Sequence, residues 1–247
     1  MVSKGKCRLD QRLVRDGFAG DLRQAQGLIL AGQVVVDDQR VDKTGFLVRD
    51  GQAVRIKGQD RFVSRGGEKL WGAVEDLGVK SLFQNAVVLD CGASTGGFTD
   101  CALQLGAQKV YALDVGTNQL AWKLRTDVRV VVMEQTDVRQ VAQVLDPQLR
   151  LILADISFNS IDRLLPALVQ VAPEAEVHFL LLVKPQFELL PEEVPPGGVV
   201  TDPQVRAKAL EQAKNALQRE GLQFMQSVDS RLPGREGNVE IFVLAKR

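Results

Sequence analysis

The stretch Val88-Leu-Asp-Cys-Gly-Ala-Ser-Thr-Gly-Gly-Phe-Thr99 constrains the fold more than any other part of the chain. A short apolar run, Ala86 to Leu89, ends in an acid, Asp90. A turn then carries Gly92, Ser94, Gly96 and Gly97, and an amphipathic stretch runs from Phe98 to Leu105. Strand, glycine-rich turn and helix in that order open a nucleotide-type ligand site. Glycine lets the backbone come close to a ligand, because no Cβ stands in the way. The spacing separates ligand classes. A dinucleotide fingerprint reads Gly-x-Gly-x-x-Gly, whereas these glycines fall at 92, 96 and 97 after an acid. Such an acid repels a pyrophosphate and suits a ligand carrying an amine, such as S-adenosylmethionine. The plainer alternative is a strand-to-helix turn with a structural purpose only.

The flanking pattern supports a ligand site. From residue 86 onward, apolar runs alternate with helical periodicity. Strands are expected at Ala86–Asp90, Lys109–Asp114, Val128–Val132, Leu151–Asp155 and Val177–Lys184. Helices are expected at about 97–105, 117–124, 138–145, 160–171 and 203–219. Apolar strands without polar alternation, separated by helices, mean a buried parallel sheet. The tail differs: Gln223–Val228 and Val239–Ala245 flank a turn-rich segment, 231–238, and read as an antiparallel hairpin. Together these define an α/β fold, a Rossmann-like sheet closed by a hairpin. Pro191 to Gly198 reads as a Pro/Gly-rich loop.

Ahead of this sheet lies a segment of different charge. Residues 1–65 hold 13 Lys/Arg against 8 Asp/Glu, and the remainder holds 18 against 23. A basic segment on an acidic remainder suits contact with a polyanion. Arg8 to Asp16 reads as a helix on which Arg8, Arg12 and Arg15 share a face. Asp21 is a suitable N-cap for a second helix, with Leu22, Ala25 and Ile29 inward, Arg23 exposed and Gly32 as the stop. Short strands follow at Gln33–Val36, Gly45–Val48 and Ala53–Ile56, with a turn at Asp37-Asp38. A solvated helix surface is the ordinary explanation of an arginine face, and the charge asymmetry favours RNA phosphate instead. Domains are expected at 1–62 and 63–247, joined by a linker over 63–68 in which Gly66-Gly67 acts as a hinge and after which Lys69 begins a helix.

Several classes are disfavoured. Cys7, Cys91 and Cys101 make an odd number with no Cys-x-x-Cys pair, which argues for a reducing, cytoplasmic setting without disulfides or structural zinc. His178 lies in an apolar run, so a metal site built on it is not expected. No apolar run approaches the roughly 20 residues of a membrane span, and the first residues lack a signal core.

Ligands of doubly wound sheets bind beyond the carboxyl ends of the strands. Those ends carry Asp90, Asp114, Asp155 and Lys184, and the third strand leads to Asp137. Asp114 can accept from ribose hydroxyls, a spacing that also suits a dinucleotide enzyme. Asp137 can accept from an adenine amino group, or cap the helix that begins at Val138. A lysine ending a buried strand is costly unless paired or functional. Glu240, between Val239 and Ile241, either turns outward or joins Lys184 in a cleft.

Arg8-Leu9-Asp10, Arg12-Leu13-Val14 and Ala31-Gly-Gln-Val-Val-Val36 resemble the S4-type RNA-binding domain, with Leu22-Arg23 where members often have Ser-Arg. Ser64-Arg-Gly-Gly-Glu-Lys-Leu70, the 90–99 turn, Asp155-Ile-Ser-Phe158 and Lys184-Pro-Gln-Phe-Glu188 resemble the TlyA family, in order and over nearly the whole chain. That resemblance implies a Rossmann-like, S-adenosylmethionine-dependent methyltransferase domain of the FtsJ-like type behind an S4-type domain. It implies 2′-O-methylation of ribosomal RNA, on naked RNA or on ribosomal subunits, with cytidines of 16S or 23S RNA as targets. Its Lys-Asp-Lys-Glu quartet carries over to Lys69, Asp155, Lys184 and Glu240. Cofactor contacts are expected from Asp90, Gly92, Ser94, Gly96, Gly97, Phe98, Asp114 and Asp137, and RNA contacts from Arg8, Arg12, Arg15, Arg23 and Arg65. A ribose hydroxyl becomes a good nucleophile only when its proton is removed or shared, so Lys184 is expected as base, Lys69 as the group that steers the ribose, and the two acids as their orienters. Rival readings are a nicotinamide-dependent oxidoreductase, a membrane-active hemolysin and an RNA-binding protein with an inactive methyltransferase domain.

Overall fold

The protein is described from a computed structural model, over residues 6–37, 39–49, 51–58, 61–141, 143–157, 160–174 and 176–247. Asp38 of the expected Asp37-Asp38 turn and Phe158 of the Asp-Ile-Ser-Phe motif lie outside the described residues. The chain divides into two compact units, Met1–Arg61 and Phe62–Arg247.

In the first unit, β1 (Lys6–Arg8), α1 (Leu9–Arg15), α2 (Leu22–Leu30), β2 (Val34–Val36), β3 (Gln39–Val41), β4 (Leu47–Arg49) and β5 (Val54–Ile56) follow in order. β1 pairs antiparallel with β4, and β2 lies between β3 and β5. Leu9 and Leu13 of α1 meet Ala25 and Ile29 of α2 over Val34, Val36, Val48 and Ile56, so helical and strand periodicities close one small core. Asp21 caps α2 as expected, accepting the Gln24 N–H at 2.7 Å. Two expectations fail. Leu22 is exposed rather than inward, because it is the first helical residue and its side chain precedes the buried stripe. Arg8 belongs to β1, so it does not extend the α1 face.

The second unit opens with α3 (Arg65–Leu77). The expected linker at 63–68 and its hinge are therefore corrected: Gly66 and Gly67 lie in the first turn of a helix, and Lys69 is in its second. Packing explains the glycines, since a Cβ on Gly67 would run into the Phe62 ring. Next come β6 (Val87–Cys91), α4 (Gly97–Gln104), β7 (Lys109–Leu113), α5 (Trp122–Arg125), β8 (Val130–Met133), β9 (Leu149–Ala154), α6 (Leu165–Val171), β10 (His178–Val183), α7 (Pro185–Glu188), α8 (Pro203–Arg219), β11 (Gln223–Asp229) and β12 (Ile241–Lys246).

The sheet order is β11-β12-β10-β9-β6-β7-β8. The first five strands in sequence are mutually parallel, and β12 slots between β10 and β11, antiparallel to both. The order reverses between β6 and β9, the switch point where such sheets open a crevice. Apolar side chains fill both faces, which is why the strands lack alternation.

Three expected helices are shorter than periodicity suggests. The 117–124 segment is helical only over Trp122–Arg125. Glu134 takes the N–H groups of Gln119 (3.0 Å) and Leu120 (3.4 Å) and the Arg125 guanidinium (2.6 Å), holding 116–121 as a loop. The 138–145 segment forms one tight turn, Val138–Gln140. The 160–171 segment splits into a tight turn, Ile161–Arg163, and α6, with Pro166 at the helix start.

Candidate active site

The turn after β6 is built around Asp90. Its carboxylate is fully buried. The Thr99 hydroxyl donates to Oδ2 at 2.6 Å, and Oδ1 has no hydrogen-bond partner. Burial pushes the acid up to about 7; the Thr99 hydrogen bond opposes this, and the charges of Asp155 and Asp114 add to it. A buried oxygen without a donor is unfavourable. An amine-bearing ligand would supply that donor, so the residues present fit S-adenosylmethionine.

The glycines are required by packing within the protein. Gly92 and Gly96 have positive φ, 85° and 97°, which suits glycine. The space beside them is filled by protein rather than left for a ligand. A Cβ on Gly92 would lie 2.5 Å from the Asp155 carbonyl oxygen, and one on Gly97 would lie 2.7 Å from the Gly67 nitrogen and strike the Ser64 hydroxyl. A Cβ on Gly96 would strike Leu124. These glycines let α3, α5 and the loop after β9 close on the turn. Phe98 is likewise a core residue, stacked on Phe242 with centroids 5.9 Å apart.

Asp114 braces the turn. Its oxygens accept the Ser94 N–H (2.8 Å) and the Gly116 N–H (2.7 Å), and Ser94 has a positive φ of 48°. Each oxygen keeps lone-pair capacity for a ligand hydroxyl. Asp137 caps the 138–140 turn through the Arg139 N–H at 2.9 Å and pairs with the Arg139 guanidinium, which holds its carboxyl below the usual range. The expected capping contact is thus present.

The four quartet residues form two ion pairs. Lys69, from α3, donates to Glu240 at 2.5 Å. Lys184 pairs with Asp155 at 2.7 Å and donates to Ser157 at 2.9 Å. Both lysines and Glu240 are buried, and burial of such charges demands this pairing. Topology aligns them. The last β10–β12 pair is Val183 with Ile241, so Lys184 and Glu240 lie one step beyond it on neighbouring strands. Asp155 follows β9, which flanks β10 on the other side. The Asp155 N–H donates to the Cys91 carbonyl at 3.1 Å, joining the quartet to the Asp90 turn. Glu240 is therefore inward, not turned to solvent.

Three further side chains brace the surroundings of the quartet. Ser157 lies in the Asp155-Ile-Ser-Phe segment, its hydroxyl two residues past a strand-end acid. Asn238 is fully buried. It accepts from Val200 N–H and donates to the Gly198 carbonyl, both at 2.8 Å, so the 191–200 loop is tied down next to Glu240. Arg231 forks onto Glu75 (2.6 Å) and Asp76 (2.7 Å), strapping the 231–238 segment to α3. No sequence signal links residues that far apart.

The expected RNA-contacting arginines carry internal partners. Arg8 makes a bidentate pair with Asp10 at 3.0 and 2.6 Å. Arg12 and Arg15 both reach Asp16, and only 15% of the Arg12 side chain is exposed. The face is thus part-neutralised rather than a bare cationic stripe. Arg23 is exposed. Arg65 donates to the Pro233 carbonyl at 3.1 Å. Among the described residues no group of three or more His, Cys, Asp or Glu side chains is placed to hold a metal, and no helix is long and apolar enough to cross a membrane.

A seven-stranded sheet with one antiparallel insertion, an acid-glycine turn at its switch point and two acid-paired lysines, one after β10 and one from α3, define a Rossmann-like methyltransferase. The FtsJ-like methyltransferase family matches residues 62–247, and the S4 domain matches residues 7–54. Over 241 residues the chain is 42% identical to the 16S/23S rRNA (cytidine-2'-O)-methyltransferase TlyA of Mycobacterium tuberculosis, covering 96% of this chain and 89% of that protein. It is 37% identical over 235 residues to Hemolysin A of Brachyspira hyodysenteriae, covering 94% and 97%. A solved hemolysin-titled structure from Streptococcus thermophilus is 36% identical, with a TM-score of 0.74 over 99% of this chain and 90% of that one. The chain belongs to the TlyA family of FtsJ-like methyltransferases with an S4 domain.

Proposed function

We propose that this enzyme transfers a methyl group from S-adenosylmethionine to a cytidine ribose 2′-hydroxyl of 16S or 23S ribosomal RNA. The observation that carries the reading is the pair of lysine–acid contacts, Lys69–Glu240 and Lys184–Asp155, at the ends of the interior strands β12, β10 and β9 beside the Asp90 turn. When bound, the cofactor supplies an electrophilic methyl group on a sulfonium. Asp90 would hold its amine, and Asp114 would take its ribose hydroxyls. Asp137 contributes at the adenine end only where Arg139 leaves it room. Gly92, Gly96, Gly97, Ser94 and Phe98 act through the shape of the turn.

Lys184 is the group that takes or shares the proton of the attacking hydroxyl. Asp155 and Ser157 fix its amine in place, which is the positioning that such a reaction needs. Lys69, fixed by Glu240, steers the ribose. Arg8, Arg12, Arg15, Arg23 and Arg65 serve RNA, with Arg23 the most available and the others working from within their ion pairs. The test is single-turnover methyl transfer by Lys184→Ala at saturating cofactor. General base catalysis is worth about 10²–10⁴-fold, so a loss of that size is expected with cofactor binding retained. A near-normal rate would remove Lys184 from this role. Mapping 2′-O-methylation on ribosomal RNA with and without the protein identifies the nucleotide.

A further inference from the structure

We propose that Glu188 is a positioning residue for methyl transfer: its carboxylate holds one end of the loop whose other end carries Asp155 and Ser157 against Lys184. The proposal rests on the reading of Lys184 as the proton acceptor. The contacts form a closed ring. Lys184 Nζ reaches Asp155 at 2.7 Å and Ser157 at 2.9 Å, at the start of the loop that follows β9. That loop ends at Ile161, whose N–H donates to Glu188 Oε1 at 2.9 Å. Glu188 closes α7, the short helix that Lys184 itself caps, and the turn between them is braced by the Phe187 N–H on the Lys184 carbonyl at 2.8 Å. The loop is thus clamped at both ends by one short piece of chain. Remove the Glu188 clamp, and Asp155 and Ser157 are fixed from one side only.

A surface glutamate with an incidental hydrogen bond would not look like this one. Burial pushes the Glu188 carboxyl up to about 7; the Ile161 N–H opposes the rise, and the charge of Asp162 adds to it. Asp162 is itself paired with Arg219 of α8 at 2.8 Å, so the tight turn that presents the Ile161 N–H is anchored on its far side as well. An acid kept where burial penalises it points to a role for the contact it makes. That contact needs an acceptor more than it needs a charge, since a backbone N–H is satisfied by any well-placed oxygen.

Two variants separate these properties. Glu188→Met removes the acceptor and fills the space, whereas Glu188→Gln keeps an acceptor oxygen. Glu188→Met is expected to slow single-turnover methyl transfer by about tenfold, with S-adenosylmethionine affinity within about twofold of wild type. Glu188→Gln is expected to recover most of the rate. Equal rates for Glu188→Met and wild type would overturn the proposal, as would a Gln variant as slow as the Met one. Glu188→Ala serves as the non-acceptor if the Met variant does not fold. Hydrogen exchange at the Ile161 amide, read without any turnover, should quicken in the Met variant alone, and unchanged exchange would overturn the clamp. Lys184→Ala, run in parallel, tests the proton-acceptor reading separately, because the exchange result stands whatever that variant does.

Discussion

Asp10 and Asp90 are both buried aspartates, 1% and 0% exposed, one in each unit of the chain, yet they are opposite in character. Asp10 is saturated with donors: the Arg8 guanidinium twice, the Gln26 amide at 3.1 Å and the Gln11 N–H at 2.9 Å. The Arg8 hydrogen bonds, helped by Gln26 and Gln11, outweigh burial and hold it down at about 2. Asp90 is served by Thr99 alone, through its hydroxyl and its backbone N–H, its Oδ1 has no hydrogen-bond partner, and burial drives it up to about 7. The first acid is finished by folding. The second is left unfinished by folding, and the missing donor is the kind that a cationic ligand brings. Burial alone therefore does not mark a site; what sets Asp90 apart is a buried acid with an unmet hydrogen bond at the switch point of the sheet.

The comparison predicts opposite pH dependence for the two acids. An acid whose folded-state value is raised favours the folded state below its ordinary value, and that stability is lost as pH rises through the folded value. For Asp90, between 3.8 and about 7, the loss is up to about 4 kcal/mol at 1.36 kcal/mol per pH unit. Thermal melts of the ligand-free protein from pH 4 to 8 should show stability falling with pH. Asp90→Asn should flatten that fall without abolishing it, because Glu188, also raised to about 7, slopes the same way. An unchanged slope in the variant would break the contrast at its stronger end.

The next effect is on binding. If the empty Oδ1 awaits an amine, Asp90→Asn should weaken S-adenosylmethionine by about tenfold or more, since a hydrogen bond to a charged group contributes about 1.5–3 kcal/mol. Titration calorimetry at pH 8 reads this directly. The wild-type affinity should also fall below pH 7, where the carboxyl holds its proton, and the variant's should not. Equal affinities would return Asp90 to the class of Asp10.

Asp90, Asp155 and Lys184 were legible in sequence because strand ends in a parallel sheet announce themselves: an apolar run stops at a charged residue. Glu240, just ahead of the antiparallel strand β12, carries no such signal and stood out only through the family resemblance. The partners of those groups were legible only in part. Lys69–Glu240 spans 171 positions, and no periodicity encodes it. The glycines misled for a physical reason. Gly66-Gly67 has the composition of a hinge, and the backbone is helical there because only glycine leaves room for Phe62 and for the close approach at Gly97. The 117–124 segment has helical spacing, but Glu134 competes for its N–H groups from another strand end. In the first unit, three-residue strands such as β1 and β3 are too short for alternation to register, so Arg8 of β1 reads as the start of a helix and β3 leaves no signal.

The smallest of these effects tests the Asp10 side of the contrast. A carboxyl held down in the folded state contributes stability above its ordinary value and loses it as pH falls through the folded value. For Asp10 that window runs from about 3.8 down to about 2. The contribution is discounted to about 1–2 kcal/mol because its Arg8 partner is half exposed and screened by solvent. Asp10→Asn should therefore lower the protection of α1 amides by that amount at pH 7, and the difference from wild type should vanish near pH 2. Added salt should shrink the difference, because an exposed guanidinium is screened. At Asp90, which has no cationic partner to screen, salt should leave the pH slope in place. A salt-insensitive Asp10 and a salt-sensitive Asp90 would invert the assignment of the two acids.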